Sequence, residues 1–223
     1  PITWGNMIDD SNDYKINEMW LNRVQDIVDY CIEQDMYTII NIHHDGADAA
    51  GWILVGDEDQ DAVKTKFAGV WKNIATAFKD YDEHLIFESM NEVYSNDINT
   101  YENNQRIMAL NQIFVDTVRD TGSNNEQRWL LCPGRYTNID ATCDDVNGWS
   151  LPKDDTANHL MVSVHFYDPW QFCGEESVSD EINTKFNAMQ MAQNQKTLKK
   201  CYDKFSSKGI PVVIGEYGCI NKN

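Results

Sequence analysis

Four segments of the chain carry the hydrophobic periodicity of amphipathic helices. Apolar positions recur every three to four residues over 17–34, 60–79 and 99–120. The same spacing continues through Leu198, Cys201 and Phe205, in a segment whose polar start lies near residue 180. We therefore predict four long helices.

Short apolar runs lie between these helices. Five of them have the length and composition of buried strands, namely 36–42, 84–90, 128–132, 159–166 and 210–214. The opening residues 1–4 read as the end of a sixth strand. Because most of these strands are separated by helices, the pattern predicts a parallel sheet wrapped by helices.

Two parallel folds fit this pattern. A doubly wound sheet that binds a nucleotide would carry a glycine-rich turn after its first strand, and no G-x-G-x-x-G or G-K-[ST] motif is present. A (β/α)₈ TIM barrel needs about 250 residues and eight units, two strands more than predicted. We favour the barrel as a single domain over residues 1–223, cut at both ends to about strands two to seven. The polar loops 43–61, 133–158 and 167–180 would then lie at the face where barrels build active sites.

Composition narrows the range of partners. Acidic residues outnumber basic ones by 36 to 18, for a net charge of −18, which argues against a nucleic-acid partner. No apolar stretch reaches the length of a membrane span, so no membrane partner is expected. Six cysteines without a C-x-x-C pair argue against a thiolate zinc site and leave both disulfides and free thiols open. Acidity with abundant Trp and Tyr is typical of a secreted protein, and we expect a monomer.

Polar side chains follow four of the predicted strands. They are His43 and His44, Asn91 and Glu92, His165 and Tyr167, and Glu216. Each is a weak signal alone, since a Glu after a strand usually begins a helix or forms a salt bridge. In a parallel barrel, however, all these strand ends face one side. Two carboxyl groups in one polar cleft fit glycoside hydrolysis, in which one stays protonated with a raised pKa and the other is ionised.

Four motifs make the sequence resemble glycoside hydrolase family 5, the cellulase-type retaining enzymes. Residues 84–92 (HLIFESMNE) resemble the family's Asn-Glu-Pro motif, and 213–218 (VIGEYG) resemble its nucleophile strand. Residues 41–45 (NIHHD) resemble the strand-three histidine motif, with His43 the better match. Residues 164–167 (VHFY) resemble the strand-six His-x-Tyr motif.

The resemblance implies a retaining endo-β-1,4-glucanase with a β-glucan substrate. Glu92 would be the acid/base at the end of barrel strand four, and Glu216 the nucleophile on strand seven, with Tyr167 beside it. Val93 replaces the usual proline, and the family's strand-one elements, its nucleophile-holding arginine and its strand-eight tryptophan have no counterpart. The sequence of residues 110–119 resembles that of endoglucanases and xyloglucanases from gut and anaerobic microbes.

Tryptophans near strand ends are candidates for stacking on sugar rings. We favour Trp170 and Trp4 over Trp52 and Trp149. Asn91, His43, His44, His165 and Tyr167 are expected to position the sugar and the carboxylates. No organic cofactor and no metal is expected.

Two alternatives stay open at this stage. One is a truncated, non-catalytic carbohydrate-binding barrel. The other is a metal-dependent barrel hydrolase, whose ligands would come from His43, His44, Asp45, Asp48, Asp57 and Glu58.

Overall fold

The computed structural model describes residues 1–46, 51–175 and 185–221. The long helices are α1 (Glu18–Glu33), α2 (Gln60–Phe78), α3 (Thr100–Asp120) and α6 (Ala188–Lys204), with two short ones, α4 (Ile139–Cys143) and α5 (Trp170–Cys173). The strands are β1 (Ile8–Asp9), β2 (Lys15–Ile16), β3 (Thr38–Asn41), β4 (Leu85–Glu88), β5 (Leu130–Asn138), β6 (Leu160–Phe166) and β7 (Val212–Tyr217).

Side-chain caps fix where the four long helices begin. Asn17, Asp59 and Asn99 each accept a backbone N–H of the first turn of α1, α2 and α3. Asn187 and Gln190 form a capping box at the start of α6. That box places the start of α6 at Ala188, later than the pattern predicted; the predicted start near residue 180 lies outside the described residues.

Five strands form one parallel sheet in the order β3-β4-β5-β6-β7, while β1 and β2 form a separate antiparallel pair. Each sheet strand returns to the next through a segment that contains a helix, as the alternating pattern predicted. The sheet curls as a portion of a (β/α)₈ barrel. Since all five strands run the same way, their carboxyl ends share one edge.

The prediction of a sixth strand at residues 1–4 is wrong. These residues form no strand ladder in the structure. Ile2 O accepts one bond from His43 N at 2.8 Å, and the Asp45 carboxylate accepts the N–H groups of Trp4 and Gly5. The Asp45 side chain therefore provides most of the bonds that hold this segment beside the end of β3. A 3₁₀ turn at Gly5–Met7 follows immediately.

β5 is longer than its apolar run. The sequence predicted a loop from residue 133, but the strand continues to Asn138 through an irregular register with β6. Tyr136 and Thr137 have positive φ angles of 54° and 49° within this stretch. This bulge turns the polar end of β5 toward the edge shared by the strand ends.

The two faces of the sheet differ in chemistry. On the helix side, the Trp71 ring of α2 lies 5.6 Å from Phe87 of β4 and 4.4 Å from Phe114 of α3, centroid to centroid. Successive residues of a strand face opposite sides. Glu88, next to Phe87, therefore faces the other side, where it contacts Asn41 of β3 and Ser163 of β6.

Two further expectations concern membranes and cysteines. Over the described ranges, no helix is long and apolar enough to cross a bilayer. Cys143 Sγ lies 3.7 Å from Cys201 Sγ, and Cys173 Sγ lies 3.3 Å from Cys219 Sγ. Both separations exceed the bond length of about 2.05 Å in a disulfide.

Candidate active site

Glu92 and Glu216 come together although the sequence separates them widely. Glu92 follows β4 and Glu216 lies in β7, so both stand at the carboxyl edge of the sheet. One carboxylate oxygen of each lies within 4.8 Å of the other. Retaining glycosidases hold their two carboxyl groups about 5–5.5 Å apart, and inverting ones about 6.5–9.5 Å. The spacing fits direct attack by one carboxylate.

His165 of β6 stands between the two glutamates. Its Nδ1 lies 2.7 Å from Glu92 Oε1 and 3.6 Å from Glu216 Oε2. The shorter contact is a hydrogen bond that needs one proton, carried either by the ring nitrogen or by the Glu92 carboxyl group. His165 is buried, whereas the Glu92 side chain is partly exposed to the cavities beside it.

Tyr167 donates its hydroxyl to Glu216 Oε2 at 3.0 Å. Desolvation, followed by the hydrogen bond to Glu216, raises the pKa of Tyr167 to about 12. The phenol is therefore a fixed donor throughout the neutral range. A donor in this position stabilises the ionised form of its carboxylate partner.

His43 approaches Glu216 from β3. Its Nε2 lies 3.8 Å from Glu216 Oε1, and its ring stands at 87° to that of His44. Burial, assisted by the neighbouring His44, lowers the pKa of His43 to about 4, although Glu216 and Glu92 oppose this shift. His43 is therefore neutral at neutral pH.

The backbone at Glu92 is in the left-handed region, with φ at 47°. Such a conformation costs a non-glycine residue about 1–3 kcal/mol and has to be held by its surroundings. The Glu92 N–H donates to Thr137 Oγ1 at 3.1 Å, and Tyr136 N donates to Val93 O at 3.0 Å. The bulged end of β5 thus fixes the peptide of Glu92.

Val93 stands where the family motif has proline. It is buried, and its carbonyl group makes the contact to Tyr136. A proline offers the same acceptor. The substitution therefore preserves the bond that holds the Glu92 loop to β5.

Asn91 is held through its backbone by the segment that follows β3. Its N–H donates to Ile42 O at 3.0 Å, which ties it to the end of β3. Its Oδ1 is buried and lacks a hydrogen-bond partner among the described residues. A buried amide oxygen without a partner is uncommon, and this one belongs to a residue that lines the same cavity as both glutamates.

The glutamate pair lies between two cavities. The larger, about 840 Å³, extends past Tyr167 to Trp170, whose ring is 56% exposed. The smaller, about 250 Å³, extends past His43, His44 and Asn91. Glu92 and Glu216 line both. A chain-like ligand could therefore cross the glutamate pair with units on either side.

Trp4 does not belong to this cleft, so its predicted stacking role is wrong. The side chain is fully buried, and its indole Nε1 donates to Asn41 O at 2.9 Å. The sequence placed Trp4 at a strand end, whereas the residues around it pack it into the core. Trp149 is also buried, with its Nε1 bonded to Pro133 O.

Among the residues that the structure describes, the alternative metal set does not assemble. Asp45 is occupied by the N–H groups of Trp4 and Gly5, and Asp48 lies outside the described residues. Within the part of the chain that the structure describes, one set of three ligand-type residues is close enough to share an ion: Glu92, His165 and Glu216. That set is the glutamate pair itself with its bridging histidine.

Sequence reasoning missed three residues of this neighbourhood. Thr137 and Tyr136 lay in a stretch assigned to a loop, and Glu88 lay hidden in the apolar run of β4. Glu88 is almost completely buried, and burial raises its pKa. A carboxyl group within a strand whose neighbours are apolar was the available signal.

Comparisons with known proteins identify the family of this chain. A family model described as cellulase (glycosyl hydrolase family 5) matches residues 1–223. Endoglucanase A of Paenibacillus barcinonensis is 40% identical, over all of this chain and 60% of its own length. Endoglucanase A of Clostridium longisporum is 36% identical, over all of this chain and 42% of its own length.

Solved structures are similarly close. A family 5 xyloglucanase from Paenibacillus pabuli matches with a TM-score of 0.90 and 42% identity, over 100% of this chain and 67% of its own. A broad-specificity endoglucanase from Ruminococcus champanellensis with bound cellotriose matches with a TM-score of 0.88 and 38% identity, over 100% and 63%. The chain thus spans about 60% of the length of the first of these curated relatives.

Proposed function

Because the chain belongs to glycosyl hydrolase family 5, we propose that the protein is a retaining endo-β-1,4-glucanase that cleaves internal bonds of cellulose-like β-glucans. The observation that carries the proposal is the close approach of the Glu92 and Glu216 carboxylates at the strand ends. The two cavities that meet at this pair support cleavage within a chain rather than at its end.

In the first step, Glu216 attacks the anomeric carbon. The carbon–oxygen bond to the leaving sugar breaks as the new ester bond forms, and Glu92 gives its proton to the departing oxygen. The Tyr167 hydroxyl donates a hydrogen bond to Glu216 Oε2 and orients the carboxylate for attack. His165, which is hydrogen-bonded to Glu92, holds this acid beside the glycosidic bond.

In the second step, Glu92 acts as a base. It takes a proton from water, the water oxygen attacks the anomeric carbon, and the ester bond to Glu216 breaks. The sugar leaves with its original anomeric configuration, and both glutamates return to their starting states. The proton taken from water restores the one that Glu92 gave to the leaving sugar in the first step.

Sugar binding is assigned to residues that line the cleft. Trp170 offers an exposed ring for stacking on a pyranose, and Asn91 offers a buried amide for a sugar hydroxyl. His43 and His44 line the opposite cavity. The relatives described as a xyloglucanase, a lichenase and a broad-specificity endoglucanase support a β-glucan as the substrate class.

Secretion and a monomeric state are also proposed. A polymeric β-glucan is too large to enter a cell, which supports an extracellular site of action. Size-exclusion chromatography with light scattering, and detection of the protein in the culture medium of its source organism, test these two statements. A dimer, or a protein confined to the cell interior, contradicts them.

The experiment that tests the activity is reducing-sugar release from soluble β-glucan by the protein and by Glu92→Gln and Glu216→Gln. We expect each variant to lose at least about 100-fold in rate, the scale of an acid/base or nucleophile. Glu126→Gln, outside the cleft, is the matched control and should retain full activity. Activity that survives both cleft substitutions contradicts the proposal, and oligosaccharide binding without turnover in the parent would favour a binding protein.

A further inference from the structure

Three polar side chains are buried beneath the cleft without lining it. Glu88 of β4 accepts from Asn41 Nδ2 at 2.8 Å through Oε2 and contacts Ser163 Oγ at 2.5 Å through Oε1. Glu88 is 6% exposed, and both of these partners are uncharged. Burying a carboxyl group costs free energy unless hydrogen bonds compensate it, and these two contacts supply such bonds to Glu88. Asn41 contacts both Glu88 and His43, and so connects Glu88 to the candidate site.

The orientation of the Asn41 amide follows from its three contacts. Its oxygen accepts the backbone N–H of Ile2 at 3.3 Å, so the other end of the amide must be the NH₂ group. That NH₂ group faces Glu88 Oε2 and, at 3.1 Å, the Nδ1 of His43. With the amide reversed, its NH₂ group would face the Ile2 N–H, donor against donor.

The Asn41 contact determines which nitrogen of His43 carries the proton. The NH₂ group donates one hydrogen bond to Glu88 Oε2 and directs its other N–H at His43 Nδ1, which must accept it. A neutral imidazole that accepts at Nδ1 is protonated at Nε2. Nε2 is the nitrogen that lies 3.8 Å from Glu216 Oε1.

We propose that Glu88 and Asn41 are positioning residues that hold His43 in its Nε2-protonated tautomer, so that an N–H rather than a lone pair faces the nucleophile. The opposite tautomer would place a lone pair next to the Glu216 carboxylate, and the two would repel. The role in catalysis rests on the proposed function of Glu216, whereas the tautomer itself does not.

The test is direct observation of the tautomer by long-range ¹H–¹⁵N NMR of histidine-labelled protein near pH 7. The chain has five histidines, and the signals lost in His43→Gln identify His43. We expect Nδ1 to show the shift of an unprotonated nitrogen and Nε2 that of a protonated one. A protonated Nδ1 in the parent protein overturns the proposal without any variant.

Substitutions at Asn41 and Glu88 test the cause. Asn41→Asp offers His43 only acceptor oxygens, so Nδ1 should become protonated. Glu88→Gln keeps an oxygen for Asn41 and should retain the tautomer, whereas Glu88→Leu removes it and should give a mixture. Ser163→Ala, which removes the other partner of Glu88, is the matched control and should retain the tautomer. An unchanged tautomer in folded Asn41→Asp contradicts the mechanism.

Kinetics separate positioning from folding. For Asn41→Asp and Glu88→Leu we expect kcat on β-glucan to fall about 10–100-fold, as for a misplaced catalytic group, with KM little changed. Glu88→Gln should recover most of kcat. If the parent shows the expected tautomer but no hydrolysis, the proposed function fails and the tautomer assignment stands. If kcat is unchanged in a variant whose tautomer has switched, the positioning role is refuted.

Discussion

Thr137→Val tests how the structure holds Glu92, the proposed acid/base. Thr137 is fully buried, and its hydroxyl oxygen accepts the N–H of Glu92, whose φ angle of 47° needs support. Valine keeps the shape of the side chain but leaves this N–H without its partner. A buried donor that loses its acceptor costs about 1–3 kcal/mol. Once released, the Glu92 peptide can relax toward a common backbone conformation and carry the carboxyl group away from the cleft.

We expect two measurable effects from this substitution. Urea denaturation should show a loss of about 1–3 kcal/mol in the free energy of unfolding. On β-glucan, kcat should fall about 10–100-fold, the effect of displacing a catalytic group by about 1 Å. KM should change little, because Thr137 does not line the cavities.

Thr121→Val is the matched control. Thr121 lies at the end of α3, and its hydroxyl oxygen likewise accepts a bond, from Asn125 Nδ2 at 2.7 Å. This variant should lose stability without losing kcat. If Thr137→Val is destabilised to the same degree and turns over normally, the support of Glu92 by β5 is not needed for catalysis and the reasoning is refuted.

Three further predictions follow from individual side chains. Tyr167→Phe removes the donor to Glu216; a hydrogen bond to a charged group contributes about 1.5–3 kcal/mol, so kcat/KM should fall about 10–150-fold, and an unchanged value would refute the role. Trp170→Ala should weaken oligosaccharide binding in calorimetry with stability nearly unchanged, whereas Trp4→Ala should cost about 3–5 kcal/mol in unfolding; the reverse pattern would restore Trp4 to the cleft. His43 has a folded-state pKa of about 4, below its ordinary 6.5, so the unfolded chain takes up the proton first as pH falls, and stability drops between pH 6.5 and 4. His43→Gln should reduce this acid-dependent loss by about 1–2 kcal/mol after allowance for solvent screening, and equal pH dependence in urea denaturation would contradict the burial argument.

Much of the fold follows from sequence periodicity, because helices and buried strands have different spacings of apolar residues. The ends of α1, α2 and α3 fall close to the predicted ones, and the parallel sheet is confirmed. Periodicity failed at β5, whose last residues are polar and form a bulge that pairing with β6 stabilises. It also failed at residues 1–4, where the Asp45 side chain, not a strand ladder, holds the segment.

The approach of Glu92 to Glu216 was predictable from the sequence, whereas the residues that hold them in place were not. Glu92 and Glu216 could be recognised because motifs and strand ends identified them independently. The structure brings His165, Tyr167 and His43 to the same pair. Trp4 was wrongly predicted to stack on sugar, because the sequence does not distinguish a buried tryptophan near a strand end from an exposed one.

The residues that we propose to act through other residues belong to no recognisable motif. In the sequence, Glu88 is a single acidic residue within a predicted strand, and Thr137 lies in a predicted polar loop. Their contacts to Asn41 and to the Glu92 N–H exist only once distant segments have packed. Long-range hydrogen bonds of this kind have no counterpart in local spacing, which is why sequence reasoning missed them.

The division of labour between the two glutamates is the central claim, and rescue of alanine variants by azide tests it most directly. In Glu216→Ala, azide takes the place of the missing nucleophile and should give an α-glycosyl azide. In Glu92→Ala, azide attacks the glycosyl-enzyme in place of water and should give a β-glycosyl azide. The account predicts these opposite anomers from an activated cellobioside, read by ¹H NMR. The same anomer from both variants, or the two outcomes exchanged, would contradict it.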